Sequence, residues 1–340
     1  MQGSVVTVFG GAGAIGRQLV AALADRGARV RVAVPDIQKA MFLKPLGNLG
    51  QIAPTPASVM VADSVASALD GADYAVNLAG ILTPSGKRTF TAVHEKGAET
   101  IAKLAAEKGV KALVHVSAIG ADPKGPADYA SSKGKGEEKV KAAFPTAAIL
   151  RPSVVFGPDD KFFNLFGSMA RLAPALPYFT RDGYRPVKKE DSSIPGFDLA
   201  GSGGPKFQPV YVGDVVKAIV TCLEDPAKQG QTYELGGPTV YSMREIMELT
   251  VKTSKRSTMV VPLPFFVARI QGAILGLLPK PLITSDQVTL MEKDNVVSGD
   301  LPTFADLGIE PEAAEAILPS YMDRFGAMHR FMILRGTGTS

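Results

Sequence analysis

Cysteine is almost absent from this chain. Cys222 is the single one in 340 residues, which excludes an internal disulfide framework and a cysteine-based metal site. Histidine is nearly as scarce: His94, His115 and His329 stand far apart, without the spacing that metal ligation requires, so no metal is expected. There is no tryptophan, and aromatic residues make up 7% of the chain. No dense Lys/Arg block and no basic run interleaved with aromatics occurs, so the net charge of +4 does not point to nucleic acid. No uninterrupted stretch of 18 apolar residues is present, so a simple membrane span is not expected. The N-terminus lacks a charged region followed by an apolar one, and lacks an Arg-rich amphipathic presequence. The expected location is cytoplasmic, or an organellar matrix after trimming.

What is present is core-forming residue and rhythm. Hydrophobic residues make up 46% of the chain, and the length suits two domains or one large α/β unit with an appended lobe. Short β-branched runs alternate with helical patterns through the first half. The runs are "SVVTVFG" (4–10), "RVRVAV" (29–34), "SVMVA" (58–62), "YAVNLAG" (74–80), "ALVHVS" (112–117) and "AAILRPS" (147–153). Between them, "AIGRQLVAALADRG" (14–27) places Ile15, Leu19 and Leu23 on one face, with Gly27 where a C-terminal cap belongs, and 91–109 is also helical in pattern. This alternation predicts an α/β fold of Rossmann type, a doubly wound parallel sheet covered by helices on both faces.

The dinucleotide-binding domain is expected over 1–160, with the sheet also taking elements from about 207–225, where Asp214 is placed to cap a helix. A smaller, mostly helical lobe is expected over 161–340. Within it, residues 181–207 are rich in Gly, Pro, Ser and charge and read as a mobile surface insertion. Residues 259–283 are unusually apolar but interrupted by Pro262, Pro264, Arg269, Gln271 and Pro279. They read either as core of the smaller lobe or as a docking surface for a partner or a membrane interface.

"VFGGAGAIGR" sets Gly10, Gly13 and Gly16 between a strand and a helix. Glycines there allow a tight turn and close backbone approach to a pyrophosphate, and the helix N-terminus adds aligned N–H groups. Asp36, 20 residues past Gly16, is positioned for a ribose 2′-hydroxyl and so for NAD(H). Arg17, Arg29, Arg31 and Lys39 favour a 2′-phosphate, with Arg29 and Arg31 reading equally as ordinary solvated charges, and the balance leans to NADP(H). Asp63 reads equally as an acceptor for the adenine amino group or as a helix cap. Tyr129 and Lys133, four residues apart, share a helix face. An ammonium beside a phenol favours the phenolate, making Tyr129 a usable acid or base, and the same lysine can bind a ribose.

These pieces resemble the extended and atypical short-chain dehydrogenase/reductase superfamily. The segments that carry the resemblance are "GGAGAIG" (10–16), "VNLAG" (76–80), "HVSAIGA" (115–121), "YASSK" (129–133), "RPSVVFGP" (151–158) and "PVYVGDV" (209–215). Within it the chain is most similar to the nucleotide-binding accessory subunit of respiratory complex I and its bacterial relatives. That similarity rests on "FFNLFGSMARLAPALP" (162–177), "KFQPVYVGDV" (206–215), "TYELGGP" (232–238), "LITSDQV" (282–288), "DNVVSG" (294–299) and "LGIEPEAAEAILPSYMDRF" (307–325).

The resemblance implies NADPH held in a structural or redox-sensing role. It implies a chain docked through its C-terminal lobe onto complex I subunits, peripheral to the inner face of the respiratory membrane. It implies a cofactor site of Gly10, Gly13, Ala14, Ile15, Gly16, Arg17, Asp63, Leu78, Ala79, Gly80, Val116, Ser117, Tyr129, Lys133, Pro152 and Val155, with Tyr129, Lys133 and Ser117 as the reactive group. Two positions depart from it. Ala118 stands where catalytic members carry a second hydroxyl, and Pro35 stands where NADP-binding relatives often carry Arg. The alternative expectation is a free-standing NAD(P)-dependent reductase, epimerase or dehydratase using Tyr129 and Lys133. A redox-sensing regulator is a third.

Overall fold

The computed structural model describes residues 1–180, 182–183, 185–187, 196–198, 201–267 and 285–326. The chain divides into two compact units. The first takes Met1–Ser153, Val212–Gly236 and Val297–Pro311; the second takes Val154–Tyr211, Gly237–Val296 and Glu312–Ser340.

The first unit is built on seven strands. They are β1 (Val5–Phe9), β2 (Arg29–Val34), β3 (Ile52–Pro56), β4 (Tyr74–Asn77), β5 (Ala112–Val116), β6 (Ala148–Pro152) and β7 (Thr232–Leu235). All pair in parallel, in the order β3-β2-β1-β4-β5-β6-β7. A parallel sheet is covered on both faces, so its central strands must be apolar throughout. Val6, Val8, Val32, Val76 and Val114 are accordingly fully buried.

Helices α1 (Ala14–Asp25), α2 (Ala62–Leu69), α3 (Ala98–Glu107), α4 (Asp128–Ala143) and α5 (Val212–Glu224) provide the cover. Ala75 and Leu113 pack with residues of α2, α3 and α4 on one face, while α1 and α5 pack together on the other. The order reverses between β1 and β4, so the loops leaving their C-terminal ends diverge and open a crevice. Beneath α4, Glu137 receives a two-pronged bond from Arg151 of β6 (2.6–3.2 Å), and Glu234 of β7 lies 3.9 Å from the same guanidinium. The Glu234 carboxylate also accepts from the Ser298 N–H at 2.6 Å, tying 297–311 to the sheet edge.

Several expectations change. Residues 58–62 are not the third strand; Ile52–Pro56 is, because the interrupted "IAPTP" pairs with β2 while Ser58 caps off the turn into α2 through its bond to Ser64. Asp63 therefore does not directly follow a strand end. It lies exposed in the first turn of α2, whose N-cap is Val61. Asp214 is not a cap either, but is buried in the first turn of α5 and paired with Lys217 at 2.8 Å. The 91–109 helix opens as a π-helix, Thr91–Gly97, before α3. The strand within 207–225, Val210–Tyr211, pairs with Val155–Phe156 rather than joining the sheet.

In the second unit, Ala175–Thr180 and Met259–Pro264 pair in parallel. Around them the helices Phe163–Leu172 and Met243–Thr253 pack a core of Phe163, Leu176, Tyr178, Ile246, Leu318 and Phe325. Ser242 and Glu245 form a reciprocal capping box. Tyr321 donates to Asp160 at 2.7 Å, which fastens 319–322 to the loop before the first of these helices. The 181–207 segment is not without structure: Arg185–Val187 and Gly196–Asp198 form an antiparallel pair, and the Asp182 carboxylate accepts from the Ser202 N–H at 3.0 Å. Of the apolar 259–283 stretch, residues 268–283 lie outside the described residues. Among the described residues no helix is long and apolar enough to cross a membrane.

Candidate dinucleotide site

The loop after β1 is made entirely of backbone. Gly10 takes φ +81°, and a Cβ there would meet the Leu78 carbonyl carbon and oxygen at 3.0 Å. A Cβ on Gly16 would lie 2.4 Å from the Gly11 oxygen, so no side chain fits where α1 crosses the loop. Gly13 N–H donates to the Gly10 carbonyl at 3.0 Å, closing the turn. Gly13 is also the N-cap of α1, with no side-chain cap and no acid in the first turn. The N–H groups of Ala14 and Ile15 thus open α1 without competition from a carboxylate, which is the form an anion site takes at a helix N-terminus.

Across the crevice the wall is made of side chains. Leu78 N–H continues the sheet by donating to Phe9 O, and Ala79 N–H donates to Asn77 Oδ1 at 3.0 Å. Ile81 N–H, just past Gly80, donates to His94 Nε2 at 3.0 Å. That fixes the His94 tautomer: Nδ1 carries the proton and donates to Ser132 Oγ at 2.9 Å, and Ser132 donates onward to the Tyr129 carbonyl at 2.9 Å. His94 thereby joins the 78–81 loop to the first turns of α4. Gly136 permits the approach, since a Cβ there would lie 2.2 Å from the His94 carbonyl oxygen. Burial, and next the Lys133 charge, hold the His94 imidazole down at about 3, so it stays neutral and the bond order is fixed.

Lys133 is buried and donates to the Val116 carbonyl at 3.2 Å. Loss of solvent lowers its ammonium to about 8. Tyr129, half-buried, packs edge-on against His94 and Phe90. The expected lowering of its phenol does not occur, since desolvation pushes it up to about 12. Lys133 donates to a backbone carbonyl of β5, and the Tyr129 ring packs on its aromatic neighbours.

Two buried polar atoms here have no hydrogen-bond partner among the described residues, Ser117 Oγ and His115 Nε2. Asn77 Oδ1 is taken by Ala79, so its amide nitrogen faces His115 Nδ1 at 3.0 Å, leaving Nε2 to carry the proton. Burial and the Lys133 charge lower this imidazole to about 3 as well. Buried donors are seldom left unpaired, and each costs about 1–3 kcal/mol when it is. Together with the cradle after β1, these atoms fit a ligand carrying a pyrophosphate at one end and hydrogen-bonding oxygens at the other.

The adenosine side is simpler. Arg17 stacks on Phe42 at 4.5 Å and bonds the Ala12 carbonyl at 3.4 Å. Asp36 accepts from Gln38 N–H at 3.1 Å as the cap of the 3₁₀ segment Ile37–Leu46, and lies 3.6 Å from Lys39 Nζ. Arg29 and Arg31 do not flank this end. Arg31 bonds the carbonyls of Ala68 and Asp70, and Arg29 that of Gly3, toward the opposite end of the strands. Pro152 ends β6 in the first unit; Val155 belongs to the second. Among the described residues no cluster of His, Cys, Asp and Glu could hold a metal.

Asn77, His94, His115 and Ser132 escaped the sequence reading. Asn77 lies within a segment that reads as a strand and carries the resemblance, neither of which singles out its side chain. His94 and His115 were weighed solely as metal ligands, and only the π-helix brings His94 beneath α4.

Sheet order, glycine cradle and crevice define a Rossmann-type nicotinamide-dinucleotide-binding protein, and a family profile described as NAD(P)H-binding matches residues 10–159. The chain belongs to the family of NADH dehydrogenase [ubiquinone] 1 alpha subcomplex subunit 9: the Mus musculus protein is 32% identical over 317 residues, 93% of this chain and 78% of that one. The 40 kDa subunit of NADH-ubiquinone oxidoreductase from Neurospora crassa is 30% identical over 91% of this chain and 76% of its own. In fold, UDP-glucose 4-epimerase of Thermus thermophilus, solved with NAD, superposes with a TM-score of 0.64 at 18% identity. That match covers 94% of this chain and 98% of the epimerase.

Proposed function

We propose that this chain is an accessory subunit of a respiratory NADH:quinone oxidoreductase, that it holds NADP(H) as a structural or redox-sensing group, and that it works at the inner, cytoplasmic face of the membrane. The observation that carries this reading is the similarity to complex I subunits across more than nine-tenths of the chain, both units included. The site supports it: Ala118 removes a hydroxyl beside Ser117, and the Tyr129 phenol, at about 12, is a poor base near neutrality.

A bound nicotinamide supplies hydride-transfer chemistry. Gly10, Gly13, Ala14, Ile15 and Gly16 cradle the pyrophosphate through backbone N–H groups. Lys133 binds ribose hydroxyls as a cation, Ser117 and His115 supply hydrogen bonds to the same end, and Tyr129 stands beside the nicotinamide. Leu78, Ala79, Gly80, Val116 and Pro152 belong to the wall, and Asp63 remains the candidate for the adenine amino group. NADP(H) is favoured over NAD(H) because Arg17 stands next to Gly16, Lys39 is close by, and the Asp36 carboxylate is already engaged by Gln38 and Lys39.

The test is association. Membranes of the source cells are solubilised in mild detergent and native complexes resolved. Co-migration with NADH:quinone oxidoreductase activity, with NADPH retained in preference to NADH, is expected. A small soluble species alone overturns the reading. The second reading, a free-standing reductase, epimerase or dehydratase, is favoured by Tyr129 and Lys133 on one face of α4; Tyr129-dependent turnover of any substrate would establish it.

A further inference from the structure

Thirteen large hydrophobic side chains stand exposed among the described residues, and five of them crowd into residues 37–49: Ile37, Met41, Phe42, Leu46 and Leu49. The segment is anchored from below by buried Ala40 and Leu43, so its outward residues are apolar by composition rather than through poor packing. Leu49 is fully exposed on a hydrogen-bonded turn. Gln51 N–H donates to the Asn48 carbonyl at 3.0 Å, Asn48 N–H donates to Gln51 Oε1 at 2.9 Å, and Gly50 takes the positive φ of +76° that the turn needs. The Gln51 amide fastens this turn to the end of α1 and the turn after it, through the carbonyls of Ala24 (2.6 Å) and Ala28 (3.0 Å). A bare leucine held on a hydrogen-bonded turn is pre-ordered, so little entropy is lost when a pocket takes it.

Charge selects the occupant. From Ile37 to Val61 there is no acid in 25 residues, whereas Lys39 and Lys44 are exposed. Two lysines, one of them already beside Asp36, are too few to hold an anionic bilayer, and a 3₁₀ segment broken by Pro45 lacks the long apolar face of a membrane-lying helix. They suit the rim of a protein contact. We infer that residues 37–49 are a docking knob, with Leu46 and Leu49 entering an apolar, acid-rimmed groove on a neighbouring subunit of the NADH:quinone oxidoreductase. This rests on the association proposed above.

The test compares the full-length wild type with L49S, the double variant L46S/L49S and K44E in the same native separation, each also assayed for melting temperature and NADPH binding. The expected result is co-migration of the wild type, at least tenfold less complex-bound protein for L46S/L49S, and a smaller, salt-sensitive loss for K44E. Melting temperature and NADPH affinity should stay unchanged, since these side chains touch solvent. Wild-type levels of association in L46S/L49S overturn the inference while leaving the proposed function standing. Failure of the wild type itself to co-migrate defeats that function instead. Binding of the wild type, but not L46S/L49S, to protein-free vesicles of phosphatidylglycerol also overturns it, assigning the knob to lipid.

Discussion

The two walls of the crevice are made by opposite means. After β1 the wall is peptide backbone, fixed by glycines at which a Cβ collides with main-chain atoms. Across from it the wall is held by two side chains, His94 and Ser132, which link the Ile81 N–H to the Tyr129 carbonyl, with Lys133 and His115 buried beside them. Backbone presents donors that do not titrate and tolerates almost any surrounding sequence. The side-chain wall is tunable, and its order depends on each group keeping one protonation state. A cradle of the first kind suits retention of a phosphate; a wall of the second kind suits a ring and a ribose whose exact placement matters.

The backbone wall fails most completely at Gly16. Gly16→Val sets carbon atoms against the Gly11 backbone, and we expect no saturable NADPH binding by fluorescence titration, even with the side-chain wall intact. His94 variants come next. His94→Phe leaves the Ile81 N–H unpaired, at about 1–3 kcal/mol, and removes the bond that Ser132 Oγ accepts while its own bond to the Tyr129 carbonyl stays, so a fall in melting temperature of several degrees is expected. Asn reproduces the Nδ1 end of the ring and Gln the Nε2 end. His94→Asn should keep the Ser132 bond and His94→Gln the Ile81 bond, each recovering part of the loss; equal behaviour of all three variants would show the chain of bonds to be idle.

Protonation distinguishes the walls further. His94 and His115 are held near 3 when folded but titrate near 6.5 when unfolded. The unfolded chain therefore binds more protons between those values, and stability should fall as pH drops below about 6.5. Scanning calorimetry from pH 7 to 5 reads this, and the slope should shrink in His94→Asn. Lys133 works at the other end of the scale. Its ammonium, lowered to about 8, should make NADPH affinity weaken above that pH, and Lys133→Met should bind about tenfold more weakly and lose the dependence. The smallest effect is expected for Ala118→Ser, which should alter binding by no more than a few tenths of a kcal/mol. Should it create turnover, the missing hydroxyl is what separates holding from reacting.

Legibility followed the same division. The parallel sheet, α1 and the glycine cradle could be read because strand–helix rhythm and glycine spacing are local signals. The third strand was missed because "IAPTP" carries two prolines and looks like a loop, while the β-branched "SVMVA" beside it looks like a strand; edge position in the sheet is what admits the prolines. The roles of Arg29 and Arg31 were misplaced because sequence distance from a strand does not tell which end of it a long side chain serves. Tyr129 and Lys133 were legible as a pair, yet their titration was not, because desolvation in the folded state sets it. The His94 bridge depends on a π-helix and on contacts across 38 residues of chain, and no periodicity announces either.

The strand order has a consequence for biosynthesis. β6 ends at Pro152, but the strand that covers its outer edge begins only at Thr232, after the chain has passed through much of the second unit. At translation speeds of about 5–20 residues per second, the roughly 80 intervening residues leave that edge uncovered on the ribosome for about 4–16 s. For that interval the nascent sheet exposes a ready template for pairing with another chain. Premature termination anywhere between 153 and 231 should therefore release an aggregation-prone fragment rather than a smaller dinucleotide-binding domain.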